Sequence, residues 1–360
     1  MSQASRQEKF SGTMAVRAAH HIDKGALDLW MRAHVEGYEG PLEIAEFKGG
    51  QSNPTYKLTT PGAAYVLRRK PPGKLLQSAH AVDREYKVVT ALAATGFPVA
   101  RTHGLCTDEG VIGTWFYVMD FVEGRIFWDA SFPQLPREAR AAYFDAMNAT
   151  LARLHCADHA ALGLADFGKA GNYFARQIAR WSRQYEADEA AGRFPAMDRL
   201  VAWLPAHIPP GDETAIVHGD YRCDNLIFHP REPKVLAVID WELSTLGHPL
   251  ADFSYHLMMY RMPPMETAGL YGADLQALGI PCEEAYVAAY CRRTGREEGI
   301  PHLDFYFAYN LFRLAAIVHG IQGRVVRGTA ASRHARQMGA MIAPLAELGW
   351  AHAEKAMRQA

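Results

Sequence analysis

AIVHGDYRCDNLIFHPREPKVLAVIDWE, running from Ala215 to Glu242, contains two short apolar runs, Leu226-Ile227-Phe228 and Val235 to Ile239, joined by a polar turn with Pro230 and Pro233. That is how a β-hairpin is written. Asp220 and Asn225 precede the first strand and Asp240 ends the second, so the hairpin would bring three oxygen-bearing side chains to one rim. Mg²⁺ takes near-octahedral oxygen ligands, usually one or two carboxylates completed by substrate phosphates. Asn225 and Asp240 suit it as a pair. Asp220 is then left to accept or orient the proton of an attacking hydroxyl. The same residues also fit a solvated loop with an Asx turn, so the rest of the chain has to decide.

Upstream, FKGGQSNPTYKL (Phe47 to Leu58) sets the pair Gly49-Gly50 ahead of a strand, and Pro61-Gly62 turns the chain into a second strand, Tyr65 to Arg68. Glycines let backbone N–H groups approach phosphates closely, and Ser52 or Asn53 can add donors. A plain turn between edge strands reads the same way in isolation. Val66, Arg68 and Lys70 share one face of the strand because side chains alternate. In Ser78 to Thr95 the residues Val82, Tyr86, Val89 and Leu92 form a helical stripe that Gly96 and Pro98 stop, with Glu85 inside. A strand cation and a glutamate on the next helix form the pair that positions nucleotide phosphates in kinases; the alternative is two ordinary surface charges. Thr114 to Met119 reads as a buried strand. The segment Asp120-Phe121-Val122-Glu123-Gly124 reads as a crossover whose backbone, at Asp120 and Val122, can meet an adenine edge.

With 360 residues, 49% hydrophobic and 21% charged, the chain has the material for two lobes with separate cores. A formal net charge of -1 without a long Lys/Arg run gives no electrostatic footprint for nucleic acid. Five cysteines without a C-x-x-C pair read as reduced thiols of a cytosolic protein. There is no signal-like apolar segment behind the polar N-terminus and no run approaching a membrane span, so a cytoplasmic protein without membrane association is expected. Residues 1–22 read as a polar arm, in which His20-His21 lacks a third ligand at useful spacing. Asp23 is a plausible N-cap for a helix through Leu27, Trp30, Met31 and His34.

After the crossover the chain turns helical. Helices are expected from Pro136, around Phe174 to Trp181, around Met197 to Leu204, and after Gly247-His248-Pro249. Asp252 in the last of these can cap the helix, brace the catalytic loop, or do both. Three more follow, around Glu283 to Arg293, Leu303 to Gln322 and Ser332 to Arg358. The expected architecture is α+β and bilobal, with a small β-rich N-lobe over 23–121 and a larger, mostly helical C-lobe over 122–360.

The order of parts is now a glycine-rich hairpin, a strand cation, a helix glutamate, a crossover, H-G-D-x-x-x-x-N at His218 to Asn225, then D-W-E and G-x-P-x-x-D. The whole resembles the aminoglycoside phosphotransferase and choline kinase family, small-molecule kinases with a protein-kinase-like fold. Within it, GGQSNPTY, VLRRKPPG, SAHAVDREY, HGDYRCDN and DWELSTLGHPLADF resemble the kinase-like N-terminal part of the large acyl-CoA dehydrogenase family members. The likeness runs from about residue 25 to about residue 350. A chain of this length is not expected to hold a flavin dehydrogenase domain as well, so a dehydrogenase label would attach by association.

The resemblance implies that Asp220 is the catalytic base, helped by His218 and Arg222 of the same loop, and that Asn225 and Asp240 hold Mg²⁺. It implies a nucleotide site at Gly49, Gly50, Ser52, Asn53, Arg68, Glu85, Asp120 and Val122, taking ATP, with GTP open. Arg68 stands where the family usually has Lys, and Lys70 is the fallback; arginine keeps the charge but differs in shape. The implied activity is transfer of a γ-phosphoryl group to a small-molecule hydroxyl. Eight arginines between Arg292 and Arg336 against Glu297, Glu298 and Asp304 favour a neutral or anionic acceptor such as a hydroxy acid or its thioester. Arg313 and Arg324, which flank the apolar run Leu314 to Ile321, are the candidates to meet it. The alternatives are an aminoglycoside or choline-like amino-alcohol kinase and a catalytically silent nucleotide-binding protein. A protein kinase is disfavoured, because the stretch from Asp240 to Asp252 is shorter than a protein kinase's activation segment, has no A-P-E and leaves no room for a peptide-docking platform. The oligomeric state is open.

Overall fold

The computed structural model describes residues 11–48, 53–71, 81–263, 269–328 and 338–359. Six antiparallel strands form its first layer in the order β1-β2-β3-β4-β6-β5. They are β1 (Thr13–Met14), β2 (Glu43–Phe47), β3 (Thr55–Thr59), β4 (Ala64–Arg69), β5 (Thr102–Cys106) and β6 (Phe116–Asp120). Tyr56 and Leu58 of β3, Tyr65 and Leu67 of β4, and Phe116 and Val118 of β6 alternate onto one face. That face buries Leu27, Trp30 and Met31 of α1 (Lys24–His34). Asp23 caps α1 as its position suggests, its carboxylate accepting the Ala26 N–H at 3.0 Å.

The segment expected to be a polar arm is partly built into this lobe. Thr13 and Met14 pair with Phe47 and Glu46, and Arg17 and His20 close on the buried Glu46 carboxylate. The anchor is one carboxylate 26 residues beyond His20, a partner that local periodicity does not reveal.

The helix α2 (Val82–Ala93) follows the sheet but shares its core with the other lobe. Val88, Val89 and Leu92 join the large C-lobe cluster, and Phe97 just beyond the helix meets the Trp241 ring edge-on at 6.1 Å. Glu85, Val89 and Leu92 are spaced i, i+4, i+7, so the stripe that docks α2 also carries Glu85 to the lobe junction. The chain enters the C-lobe through residues 121–124, after which Arg125 and Phe228 exchange backbone hydrogen bonds of 2.8 Å in each direction.

Two small two-stranded sheets frame the junction. β7 (Ala215–Val217) pairs with β10 (Thr245–Gly247), and β8 (Leu226–Phe228) pairs with β9 (Val235–Val238). The loop 218–225 therefore spans β7 to β8, and Asp240 lies between β9 and β10. Behind them pack α3 (Arg140–His155), α4 (Tyr173–Ala187), α5 (Pro195–Ala206), α6 (Pro249–Arg261), α7 (Glu283–Thr294), α8 (Leu303–Val326) and α9 (Ile342–Gln359). α8 is buried along most of its length, as its nearly all-round apolar sequence requires. The fold is thus the expected α+β, bilobal, protein-kinase-like one. Several boundaries differ from the sequence reading, two of them near the site or the C-terminus. The strand read as Thr114 to Met119 is shifted to Phe116–Asp120, and the last helix is α9, with Ser332 itself outside the described residues.

Candidate active site

Asp220 occupies the turn after β7, and four neighbours fix that turn. The buried Asp252 of α6 accepts the backbone N–H groups of His218 at 2.6 Å and Gly219 at 2.8 Å. His248, not Asp252, caps α6, so Asp252 serves as the brace. His155 of α3 stands behind it, Nε2 3.2 Å from Oδ2. Burial pushes the Asp252 carboxyl up, but His155 and the donors around it outweigh that and hold it below its ordinary value. His218 is fully buried, its Nε2 on the Ile239 carbonyl at 2.9 Å and its Nδ1 accepting the Asp220 N–H at 3.2 Å. It ties the loop to the end of β9 and touches no solvent, which makes it a positioning residue where a catalytic one was expected. Gly219 has φ 85°, and a Cβ there would lie 2.8 Å from the Leu243 carbonyl, so the loop needs glycine at this point.

The Asp220 carboxylate is held on both oxygens. The Tyr255 hydroxyl donates to Oδ1 at 2.5 Å, Arg222 Nε lies 3.2 Å from the same oxygen, and Asn225 Nδ2 donates to Oδ2 at 3.1 Å. Arg222 also pairs with Asp224 at 3.0 Å. Burial works against its charge, and the two carboxylates outweigh burial, keeping the guanidinium protonated.

Across the junction, Arg68 of β4 and Glu85 of α2 come together, with Nε to Oε2 at 2.9 Å. The same guanidinium donates through Nη2 to Asp240 Oδ1 at 2.9 Å. Burial disfavours the Arg68 charge, yet Glu85 and Asp240 raise its pKa above the ordinary arginine value. Lys70 has turned away: its Nζ sits 3.8 Å over the Trp115 ring and 3.8 Å from Asp83. Asn53, also buried, donates to Glu85 at 2.8 Å and to Glu242 at 3.4 Å, and Tyr117 donates to Glu85 at 3.2 Å. Asp240 adopts φ 68° and ψ 58°, a left-handed conformation that turns its carboxylate back toward Arg68.

The hard-oxygen set expected for Mg²⁺ is present in composition. Asn225 spends its amide nitrogen on the Asp220 carbonyl at 2.8 Å and carboxylate at 3.1 Å, which leaves its carbonyl oxygen as the donor. Asp240 is about one-third exposed. Among the described residues no cluster of three or more His, Cys, Asp or Glu is placed to hold a metal. Two oxygen donors without a cage would suit an ion whose shell is completed by phosphates and water.

Other candidates fall less simply. Gly49, Gly50 and Ser52 lie outside the described residues. Asp120 ends β6 with its N–H donated to the Arg101 carbonyl at 2.8 Å and its carboxylate 2.7 Å from His103, so that N–H is not offered to a ligand. Val122 lies in the crossover. Arg313 of α8 reaches the loop, donating to the Gly219 carbonyl at 3.0 Å with its guanidinium 5.4 Å from the centre of the Tyr255 ring. Arg324 is exposed in the last turn of α8, near Asp188. Eleven residues of helix place it about 16 Å along the axis from Arg313, so it is not part of this cluster. Tyr255, Asn53's second contact to Glu242, and Tyr117 had no place in the sequence reading. Tyr255 had a signal, because it lies one helical turn after Asp252 and so shares the face that meets the loop 218–225.

A bilobal kinase-like fold with these acidic, amide and arginine side chains at its junction defines a phosphotransferase scaffold. The profile of the phosphotransferase enzyme family matches residues 43–296, and the chain belongs to that family. Among curated proteins it is similar to acyl-CoA dehydrogenase family member 10 of Mus musculus, 44% identical over 349 residues, which cover 95% of this chain and 32% of that protein. It is also 44% identical to family member 11 of Gallus gallus over 346 residues, 94% of this chain and 44% of that one. The chain thus spans less than half the length of these relatives. A crystal structure of a Ralstonia eutropha protein, provisionally named an aminoglycoside phosphotransferase, superposes with a TM-score of 0.86 at 52% identity, covering 93% of this chain and 99% of that one. Spectinomycin phosphotransferase, solved with ADP and spectinomycin, shares the fold at a TM-score of 0.59 and 12% identity, over 92% of this chain and 98% of that one. No helix among the described residues is long and apolar enough to cross a membrane.

Proposed function

We propose that this chain is a Mg-ATP-dependent small-molecule kinase that transfers the γ-phosphoryl group to the hydroxyl of a neutral or anionic acceptor, such as a hydroxy acid or hydroxyacyl thioester. The observation that carries this reading is the meeting of Arg68, Glu85 and Asp240 across the lobes, beside the loop that presents Asp220 and Asn225. Asn225 and Asp240 would hold Mg²⁺, which neutralises and orients phosphate oxygens when bound. Arg68 faces the phosphates, kept in place by Glu85, while Asn53 and Tyr117 satisfy the rest of the Glu85 carboxylate. Asp220 receives the acceptor proton as the O–H bond breaks. The oxygen lone pair forms the bond to the γ-phosphorus, and the bond from that phosphorus to the ADP oxygen breaks.

The preference for a neutral or anionic acceptor rests on Arg313. Among the described residues it has no carboxylate within ion-pair distance, and its guanidinium lies beside Tyr255 and the catalytic loop. A cation at that place without a carboxylate in direct ion-pair contact repels polyamines and suits a carboxylate or carbonyl oxygen. A screen of ADP release over hydroxy acids, hydroxyacyl thioesters, amino alcohols and kanamycin-like polyamines tests the reading. Turnover of hydroxy acids or their thioesters is expected; turnover of polyamines alone would overturn it.

A further inference from the structure

Arg84 stands next to Glu85 in the first turn of α2, and its side chain leaves the helix for the other lobe. Nη2 donates to the Phe167 carbonyl at 2.6 Å and to the Ser244 carbonyl at 3.3 Å, and the guanidinium lies 4.4 Å from the centre of the buried Phe167 ring. Ser244 ends the short turn that Asp240 begins. Its N–H meets the Trp241 carbonyl at 3.0 Å and its hydroxyl donates to the Val217 carbonyl at 2.8 Å. Phe167 is set against the same segment. A Cβ on the adjacent Gly168 would lie 2.4 Å from Thr245 Oγ1 and 2.6 Å from the Leu246 nitrogen, so glycine is what lets the two backbones come this close. One side chain thus ties the start of α2 to the segment that carries Asp240.

We infer that Arg84 is a positioning residue for the phosphate site, setting the separation of Glu85 and Asp240 at which Arg68 serves both. This rests on the reading of Arg68 as the cation that faces the phosphates. Glu85 and Asp240 are like charges, and Asp240 works against the Glu85 charge. The Arg68 fork offsets that repulsion, and it does so while both carboxylates stay within its fixed reach. The apolar stripe of α2 secures chiefly the other end of the helix. Val88, Val89 and Leu92 dock its second half in the C-lobe core, whereas the first turn follows Ala81, which has no side chain to cap it. An uncapped turn is where a helix opens. Lys87 also reaches the C-lobe, 2.5 Å from Asp166, but both partners are solvent-exposed and such a pair adds little.

The test is the dissociation constant of Mg-ATP, titrated calorimetrically against the full chain at a temperature where each variant is folded. Arg84→Met keeps a stem over Phe167 and removes the donors. It should raise the constant on the order of tenfold, the scale of one hydrogen bond made by a charged group. Lys87→Ala should stay within about twofold of the wild type. A merely structural Arg84 predicts a lower melting temperature with an unchanged constant for the folded protein, and that result overturns the inference; so does a Lys87→Ala effect as large as that of Arg84→Met. Action through Arg68 makes a further demand. Added to Arg68→Lys, Arg84→Met should weaken binding by less than about threefold more, because the fork that it positions is already gone. Losses that multiply in full would break the link to Arg68. Arg84→Gln retains one amide donor for a carbonyl and should raise the constant about threefold. It replaces the Met variant if that does not fold, and no rise there overturns the inference equally. Wild-type protein that binds no Mg-ATP removes the phosphate reading and the role of Arg84 together, whereas wild-type binding matched by the Arg84 variants removes the role of Arg84 alone.

Discussion

Arg68 donates through Nη2 to the Asp240 carboxylate at 2.9 Å, joining residues 172 positions apart and holding the β-rich lobe to the end of the β8–β9 hairpin. The same side chain keeps Nε 2.9 Å from Glu85, so one buried arginine serves two carboxylates. This dual contact explains why arginine is workable where a lysine is usual, since a planar fork reaches two partners in fixed directions and a single ammonium does so less rigidly. It also makes the pair a structural fixture between the two lobes.

Removing Arg68 should therefore cost stability as well as nucleotide affinity. Arg68→Ala leaves Glu85, which is 1% exposed, without its counter-ion, and the expected loss is about 3 kcal/mol in urea unfolding. Arg68→Met combined with Glu85→Met should lose clearly less than the single Ala variant, because no buried charge is left unpaired. A double variant as unstable as the sum of the two singles would show that the two residues are not energetically coupled.

Asp220→Asn should abolish phosphoryl transfer while leaving Mg-nucleotide affinity within a few-fold. The amide retains the volume and one acceptor oxygen, so the loop held by Asp252 and His218 should survive. Turnover near the wild-type rate with any acceptor would remove Asp220 from the base role.

Asp240→Ala should erase the magnesium-dependent part of nucleotide binding, read as the difference in thermal shift between Mg-ATP and ATP with a chelator. Melting without nucleotide should also fall, since Arg68 loses one of its two carboxylates. If wild-type protein binds ATP equally with and without Mg²⁺, neither Asp240 nor Asn225 holds a metal that matters.

The parts of this site that lie close together in the chain were readable in the sequence. His218, Asp220, Asn225 and Asp240 sit on one hairpin and its approach, so their spacing suggested a shared rim, and the upstream parts were needed to choose that over a solvated loop. The Arg68–Glu85 contact spans 17 residues and needed one strand and one helix to be placed correctly. Lys70 was a fallback because strand alternation puts it on the face of Arg68; its N–H extends the pairing onto the Trp115 carbonyl at 3.0 Å, but its ammonium goes to the Trp115 ring and toward Asp83, not to Glu85. Arg324 failed for a related reason, because closeness to Arg313 in sequence becomes distance along a straight helix. Asn53 with Glu242, 189 residues apart, arises from how the lobes pack, and no local pattern encodes it; Tyr255 with Asp220, across 35, depends on how α6 packs, and its one local sign is its place a helical turn after Asp252. His218 was read as chemistry because it belongs to a motif; its complete burial makes it architecture.

The N-terminal segment offers a test of a different kind, through acid. Glu46 is 1% exposed and accepts the Arg17 backbone N–H at 3.0 Å and the Arg17 side chain through Nε at 2.9 Å, with His20 Nδ1 at 2.7 Å. Burial pushes its carboxyl up, but the Arg17 and His20 contacts outweigh burial and depress it to about 2. A carboxyl whose folded pKa is lowered stabilises the protein fully above its unfolded value and loses that contribution as pH falls toward the folded value. The clamp is thus intact above about pH 5 and is lost between there and about pH 2. Because Arg17 is half exposed, its contribution is discounted to roughly 1–2 kcal/mol. Glu46→Gln should lower stability at neutral pH and flatten the acid limb of the stability curve. Hydrogen exchange should show the loss first at Thr13 and Met14, whose strand pairing the clamp secures. An acid limb of unchanged steepness in the Gln variant would mean that other carboxyls, and not Glu46, set the acid sensitivity of this lobe.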